Sequence, residues 1–359
     1  MRFVMSAIRP LALLLLILVA VEAATRFDDW ARFDMPFTSS RQSIAELIIT
    51  DSVGTHARAN SQFRQFRINA LGFRGEEIPN TLLHRGRLIV VSGASESFGL
   101  YESRGKEWPR QLEDSLRASC GPDIAVANAA FAGMTLPTVE QDIRLRLALL
   151  YPALIVYYPT PMQYLEKELP VATPPSASAA ADAKGVRARA IPRFRDAIKR
   201  LTPVTVLDLL RQRDINASRA ALNTRGLDHA PTARLDAYET SLRRLVGAIR
   251  AVGARPALAI HQNRFSHHQS GAQDVWLRAW ERYHPMYTGE AILEFDRMSA
   301  ERTRVVARDS SVILVDASAA VRDVVPPPFA DYAHFDDRGA AIMAGTTARA
   351  VVGSVCAPR

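Results

Sequence analysis

Five short apolar runs constrain this chain more than any other feature: "RLIVVSG" (87–93), "DIAVANAA" (123–130), "ALIVYYP" (153–159), "RPALAIHQ" (255–262) and "SVILVDA" (311–317). Each is a continuous block of apolar residues rather than an apolar/polar alternation, so each reads as a strand covered on both faces. Helical spacing fills the intervals. Trp108, Leu112 and Leu116 recur at i, i+4, i+8; Leu235, Tyr238, Leu242, Leu245, Val246 and Ile249 mark one face of a longer helix; 289–308 and 336–352 read as two more. Strand and helix in repeated alternation predict an α/β fold, a three-layer doubly wound domain on a mainly parallel five-stranded sheet.

One segment breaks the rhythm. After the third run, "LPVATPPSASAAADAKG" (169–185) is rich in small residues and proline, and it leads into "RFRDAIKRLTPVTVLDLLRQR", which reads as two short helices. We place an insertion at about 165–232. It leaves the sheet at the carboxyl end of a strand, where open α/β sheets bind ligands, so it reads as a cap or as a surface excursion.

The amino terminus carries a different signal. Arg2 and Arg9 precede an unbroken apolar run from Pro10 to Val21, the pattern of a cleaved signal peptide or of a short membrane anchor. Either reading exports the chain beyond about Ala24 to the cell envelope, periplasmic or membrane-anchored, with the domain outside the cytoplasm. The expected organisation is therefore 1–24 signal or anchor, 25–66 an extension, and 67–355 the α/β domain. The net charge of +8 is spread along the chain with no basic run interleaved with aromatics, which argues against nucleic-acid binding. The two cysteines, Cys120 and Cys356, are a disulfide pair or two unrelated thiols.

The first strand ends in "GASESFG" (93–99). A strand entering a Gly-x-Ser turn and then a helix sets Ser95 at the carboxyl edge of the sheet, beside N–H groups that stabilise negative charge. A serine nucleophile needs a base. Of the eight histidines, His56, His84, His229 and His284 have no carboxylate at a helpful spacing; His261 ends the fourth strand; His267 and His268 form a pair in the loop beyond it. His334 stands out in "FADYAHFDDRGA", after the fifth strand, with Asp331 three residues before it. On a turn of helical type those two side chains meet, and Asp336 or Asp337 caps the final helix.

Together "GASESFG", "NAAFAG" (128–133) and "DYAHFDDRGA" resemble the first, second and fifth sequence blocks of the SGNH, or GDSL-type, hydrolases, and "RINALGFRGEE" (67–77) resembles a lead-in found before the first block in many bacterial members. The resemblance implies a flavodoxin-like sheet with Ser95 as nucleophile, His334 as base and Asp331 orienting it. It implies an oxyanion hole from the backbone N–H groups of Ser95 and Gly133. It implies no cofactor and no metal ion. In such a fold the helices after the first and last strands lie side by side, which implies a Cys120–Cys356 disulfide at the edge opposite the site.

The chain departs from the family in two places. Ala94 replaces the Asp of Gly-Asp-Ser, removing no catalytic atom. In the third block, "VYYPTPMQYL", Met162 stands where the family carries an oxyanion-donating Asn, and methionine donates no hydrogen bond. Gln163, Thr160 and Tyr158 are the nearby substitutes. The function implied is hydrolysis of an acyl or O-acetyl ester on a small molecule, lipid or glycan of the envelope. Acyl transfer to an envelope glycan would use the same covalent intermediate, and a noncatalytic binding protein could retain the same fold.

Overall fold

A computed structural model describes residues 2–39, 43–83, 87–166, 204–222, 224–265 and 275–356. The five apolar runs form strands β5 (Leu88–Ser92), β6 (Ala125–Asn128), β7 (Leu154–Tyr157), β8 (Arg255–Ala259) and β9 (Ile313–Val315). They pair in parallel in the order β6-β5-β7-β8-β9, the flavodoxin-like order. Register places Val91 beside Asn128 and Ser92 beside Tyr157, so three strands end at one level.

Continuous burial results from helices on both faces. Side chains of successive strand residues point to opposite faces. Ile89, Val91, Leu154 and Val156 meet Trp108, Leu112, Leu116 and Met343 on one side; Leu88, Val90 and Ile155 meet Leu136, Val139, Leu242 and Phe295 on the other. The helices are α1 (Arg2–Phe33), α2 (Ser95–Phe98), α3 (Trp108–Cys120), α4 (Leu136–Leu145), α5 (Val204–Ala221), α6 (Thr232–Ala251), α7 (Val275–Glu281), α8 (Gly289–Asp309), α9 (Ser318–Arg322) and α10 (Asp337–Val355). Helices α3 and α10 pack together, and Cys120 is bonded to Cys356 with their Cα atoms 5.0 Å apart.

One expectation is corrected. The "TPVTVLDLLRQR" portion of the insertion is not a short helix: α5 runs 18 residues to Ala221, because no breaker interrupts it, and the rest of the insertion lies outside the described residues. The extension at 25–66 is structured. It forms two antiparallel hairpins, β1 (Ile48–Asp51) with β2 (Gly54–Ala57) and β3 (Ser61–Phe63) with β4 (Phe66–Ile68). The amino-terminal helix continues past Ala24 to Phe33, where Asp29 accepts from Arg64 (3.2 Å) and Gln62 donates to the Phe33 carbonyl (2.6 Å). Leu13 to Val19 on that helix are exposed. Among the described residues no helix is long and apolar enough to cross a membrane.

Candidate active site

The chain leaves β5 at the switch point of the sheet, with β6 on one side and β7 on the other, so the turn after β5 faces the crevice between the loops after β6 and β7. Ser95 lies in that turn. The turn requires glycine: Gly93 has φ 158°, and a Cβ there would sit 2.7 Å from the Tyr158 carbonyl oxygen. Ser95 then opens a helix of a single turn, which Gly99 ends in the left-handed conformation. That is shorter than the sequence suggests, so free N–H groups rather than a long dipole are available there.

The lead-in segment fixes this turn from below. Asn69 accepts from the N–H groups of Leu71 (3.0 Å) and Phe73 (2.9 Å), bending the chain so that Arg74 runs beneath the site. Arg74 lies between the Phe66 and Phe98 rings, 4.9 and 4.8 Å from their centres, and donates to the Phe98 and Gly99 carbonyls. Asn128, the last residue of β6, donates to the Ser97 carbonyl (2.9 Å).

Ser95, Gly133, His334 and Asp331 line one cavity of about 840 Å³. The His334 Nδ1–H donates to Asp331 (2.9 Å to Oδ2), which sets the tautomer that leaves Nε2 as acceptor. The loop is not a helical turn. Asp331 Oδ1 accepts the backbone N–H groups of Ala333 and His334, both at 2.9 Å, so the carboxylate builds its own turn and aims the ring. Burial alone would lower the pKa of His334; the hydrogen bond and charge of Asp331, helped by the charges of Glu96 and Glu102, outweigh it and raise it. Among the described residues Nε2 is buried without a hydrogen-bond partner. Asp336, not Asp337, caps α10; Asp337 accepts from Ser103 instead (2.7 Å).

Gly133, which lines the cavity, has φ 84° and open space where a Cβ would stand. Across from it, Met162 is buried at the cavity wall, and the three substitutes for the family Asn are otherwise engaged. The Gln163 amide donates to the Met134 carbonyl (2.9 Å), Thr160 donates to Glu96 (3.2 Å), and the Tyr158 hydroxyl is buried against Gln262, accepting from its N–H at 2.9 Å. Gln163 and Thr160 still line the cavity, together with Leu210 and Asp214 from α5 of the insertion.

Sequence reasoning missed a second network. The Ser95 hydroxyl donates to Glu96 Oε2 (3.2 Å). Glu96 is buried, and its Oε1 lies 3.7 Å from His261 Nε2, a charge contact too long for a hydrogen bond. His261 is fixed by Asp296 (Nδ1 to Oδ1, 2.6 Å), which also accepts from Asn263. Burial opposes every charge here, yet Asp296 and Glu96 raise His261 to about 10, while His261 and His334 lower Glu96 to about 2. The network is therefore carboxylate, imidazolium, carboxylate. Asp296 lies 35 positions from His261 in the chain, so no spacing announces the pair.

Among the described residues the remaining histidines sit apart from this pair of networks, with one exception. His56 is not without a carboxylate, as its spacing suggested: the β1–β2 hairpin brings Asp51 to 3.1 Å. His229 contacts its neighbour Asp228 at the surface. The exception is His284, which lines the cavity and is held neutral, since burial lowers it to about 4. His84 and the His267–His268 pair lie outside the described residues. Among the described residues no group of His, Cys, Asp and Glu could hold a metal ion.

Fold and site together define an α/β protein of flavodoxin-like strand order with a serine and an Asp–His pair at the switch point. No protein-family model and no curated protein matches the chain. Solved structures similar to it include the lipase/acylhydrolase from Enterococcus faecalis (12% identity, TM-score 0.45, 74% of this chain and 96% of that one). Another is a catalytic mutant of an acetylxylan esterase from Geobacillus stearothermophilus (15%, 0.43, 74% and 94%). A third is an α/β hydrolase from the metagenome of Lake Arreo, Spain (12%, 0.44, 77% and 99%). These likenesses carry no argument about the site, and Ser95, His334 and Asp331 are read from the geometry of this chain alone.

Proposed function

We propose that the chain is a serine ester hydrolase working through an acyl-enzyme. The observation that carries this reading is His334: Asp331 fixes its tautomer, among the described residues its buried Nε2 has no hydrogen-bond partner, and the residue lines the same cavity as Ser95. In the reaction Ser95 turns from Glu96 to His334, its proton passes to Nε2, and Oγ bonds the ester carbonyl carbon. The carbonyl π pair moves to oxygen, where the N–H groups of Ser95 and Gly133 receive the charge. Collapse expels the alcohol with the proton from His334, and water repeats the sequence to release the acid and Ser95.

The substrate we infer is an acyl or O-acetyl ester of a small molecule, lipid or glycan in the cell envelope, reached because the amino-terminal segment exports or tethers the domain. Hydrolysis of p-nitrophenyl acetate, and labelling of Ser95 by a fluorophosphonate located by peptide mass spectrometry, test the chemistry. If both are absent from folded full-length protein, the reading fails. A noncatalytic binding protein is the rival, favoured by Met162 at the family Asn position and by the Ser95–Glu96 bond. It expects Ser95→Ala to leave the biological role intact.

A further inference from the structure

The nucleophile has two neighbours that could take its proton or its hydrogen bond, and the structure shows it bonded to the unexpected one. Glu96 Oε2 receives both the Ser95 and the Thr160 hydroxyls, each at 3.2 Å. The same carboxylate faces His261, which Asp296 and Asn263 lock from behind. Glu96 is buried with a relative exposure of 4%, and His261 and Asp296 match it at 4% each. Burying three ionisable groups costs heavily unless they are paired, so this much charge beneath a serine needs a purpose.

The purpose is not proton abstraction. With His261 beside it Glu96 sits near 2, whereas His334 is raised above its ordinary value, so the hydroxyl proton passes to the imidazole and not to the carboxylate. What Glu96 offers is a fixed negative charge and an acceptor. We propose that Glu96 is a positioning residue for both partners: it holds the Ser95 hydroxyl in the resting site and, once the proton has moved to His334, balances the imidazolium. His261, Asp296 and Asn263 keep that carboxylate in place. The proposal rests on the Ser95–His334 chemistry above, but the coupling of Glu96 to His334 is measurable without it.

The charged and titratable groups around His334 come from several elements. Asp331 and Tyr332 lie on its own loop, Tyr101 and Glu102 on the loop after α2, and Glu96 on α2 itself. Glu102, raised to about 7 by burial against the opposing charge of Arg74, gains its charge around neutrality. An opposite charge at close range shifts a pKa by roughly 1–3 units. Removing the Glu96 charge therefore lowers the His334 pKa by about one unit, the low end of that range.

The test uses the full chain carrying Glu96→Gln or Glu96→Asp. Titration of the His334 imidazole by NMR, assigned with His334→Gln, gives its pKa directly; kcat/KM for p-nitrophenyl acetate against pH gives the acid limb. We expect Glu96→Gln to move both midpoints down by about one pH unit and to lower the alkaline plateau about tenfold, with Glu96→Asp leaving the midpoints in place. A plateau that falls with unmoved midpoints overturns the proposal, because packing damage alone behaves that way. If the wild-type protein hydrolyses no ester, the enzymatic reading fails while the NMR midpoints still decide the role of Glu96. Should Glu96→Gln not fold, Glu96→Ala in the full chain removes the same charge, and unmoved midpoints there count equally against the proposal.

Discussion

Two histidines, each bonded to an aspartate, line the cavity that holds Ser95, and their surroundings differ. In Asp331–His334 the partners are three residues apart on one loop, 2.9 Å from Nδ1 to Oδ2, and among the described residues Nε2 is buried without a hydrogen-bond partner. In Asp296–His261 the partners come from α8 and the end of β8, 2.6 Å apart, and Nε2 faces Glu96. The difference lies on the far nitrogen. With nothing to meet, His334 keeps a lone pair for a proton; with a carboxylate to meet, His261 becomes a fixed cation. Residue type is the same in both, so under the function proposed above it is environment that would make one the base and the other the scaffold.

The comparison breaks most cleanly at the nucleophile. Ser95→Ala and His334→Ala should each lower kcat for ester hydrolysis by about 1000-fold or more, and the double variant should be no worse, because the two act as a unit. Steady-state kinetics on one chromogenic ester checks this. Removing the carboxylates separates the pairs: Asp331→Asn should cost about 1000- to 10,000-fold by misplacing the tautomer, whereas Asp296→Asn should cost only about ten- to a hundredfold by loosening Glu96. Equal losses from the two would mean that both pairs handle protons.

Away from the site, replacing Cys120 and Cys356 by serine opens a loop spanning 236 residues. It should lower unfolding free energy by about 2–5 kcal/mol in urea titrations, while kcat at 25 °C stays within about twofold, because the bond lies at the edge opposite Ser95.

The smallest effect sharpens the contrast by pH. His261 has a folded pKa raised to about 10, so its contribution to stability is complete below its ordinary value of about 6.5 and is lost as pH rises toward 10. Glu96, lowered to about 2, contributes fully above about 4.5 and loses its contribution as pH falls toward 2. Thermal melts from pH 6.5 to 10 should therefore decline in the wild type and decline less in His261→Gln.

Much of the fold is legible because it repeats a local rule. Continuous apolar blocks such as 87–93 and 153–159 declare buried parallel strands, and Trp108, Leu112 and Leu116 declare the helix face that covers them. The Asp331–His334 pair is legible because both residues sit in one turn. Arg74 is harder to read: its neighbours in sequence give no sign that it will be clasped between Phe66 and Phe98, beneath a turn more than twenty residues later. The hairpins of 48–68 are hidden for a related reason, since their strands are only 3 or 4 residues long and carry little periodicity.

By itself, then, the sequence determined the layered α/β architecture, the turn that carries Ser95 and the Asp331–His334 pair, because each is encoded within one strand, turn or loop. The tertiary structure alone decided that Ser95 bonds Glu96, that His261 meets Asp296 across 35 residues, and that Gln163 turns to Met134. Those contacts depend on which strand ends lie side by side in the sheet. A linear pattern of residues does not contain that order; folding supplies it, and with it the charges that tell one histidine from the other.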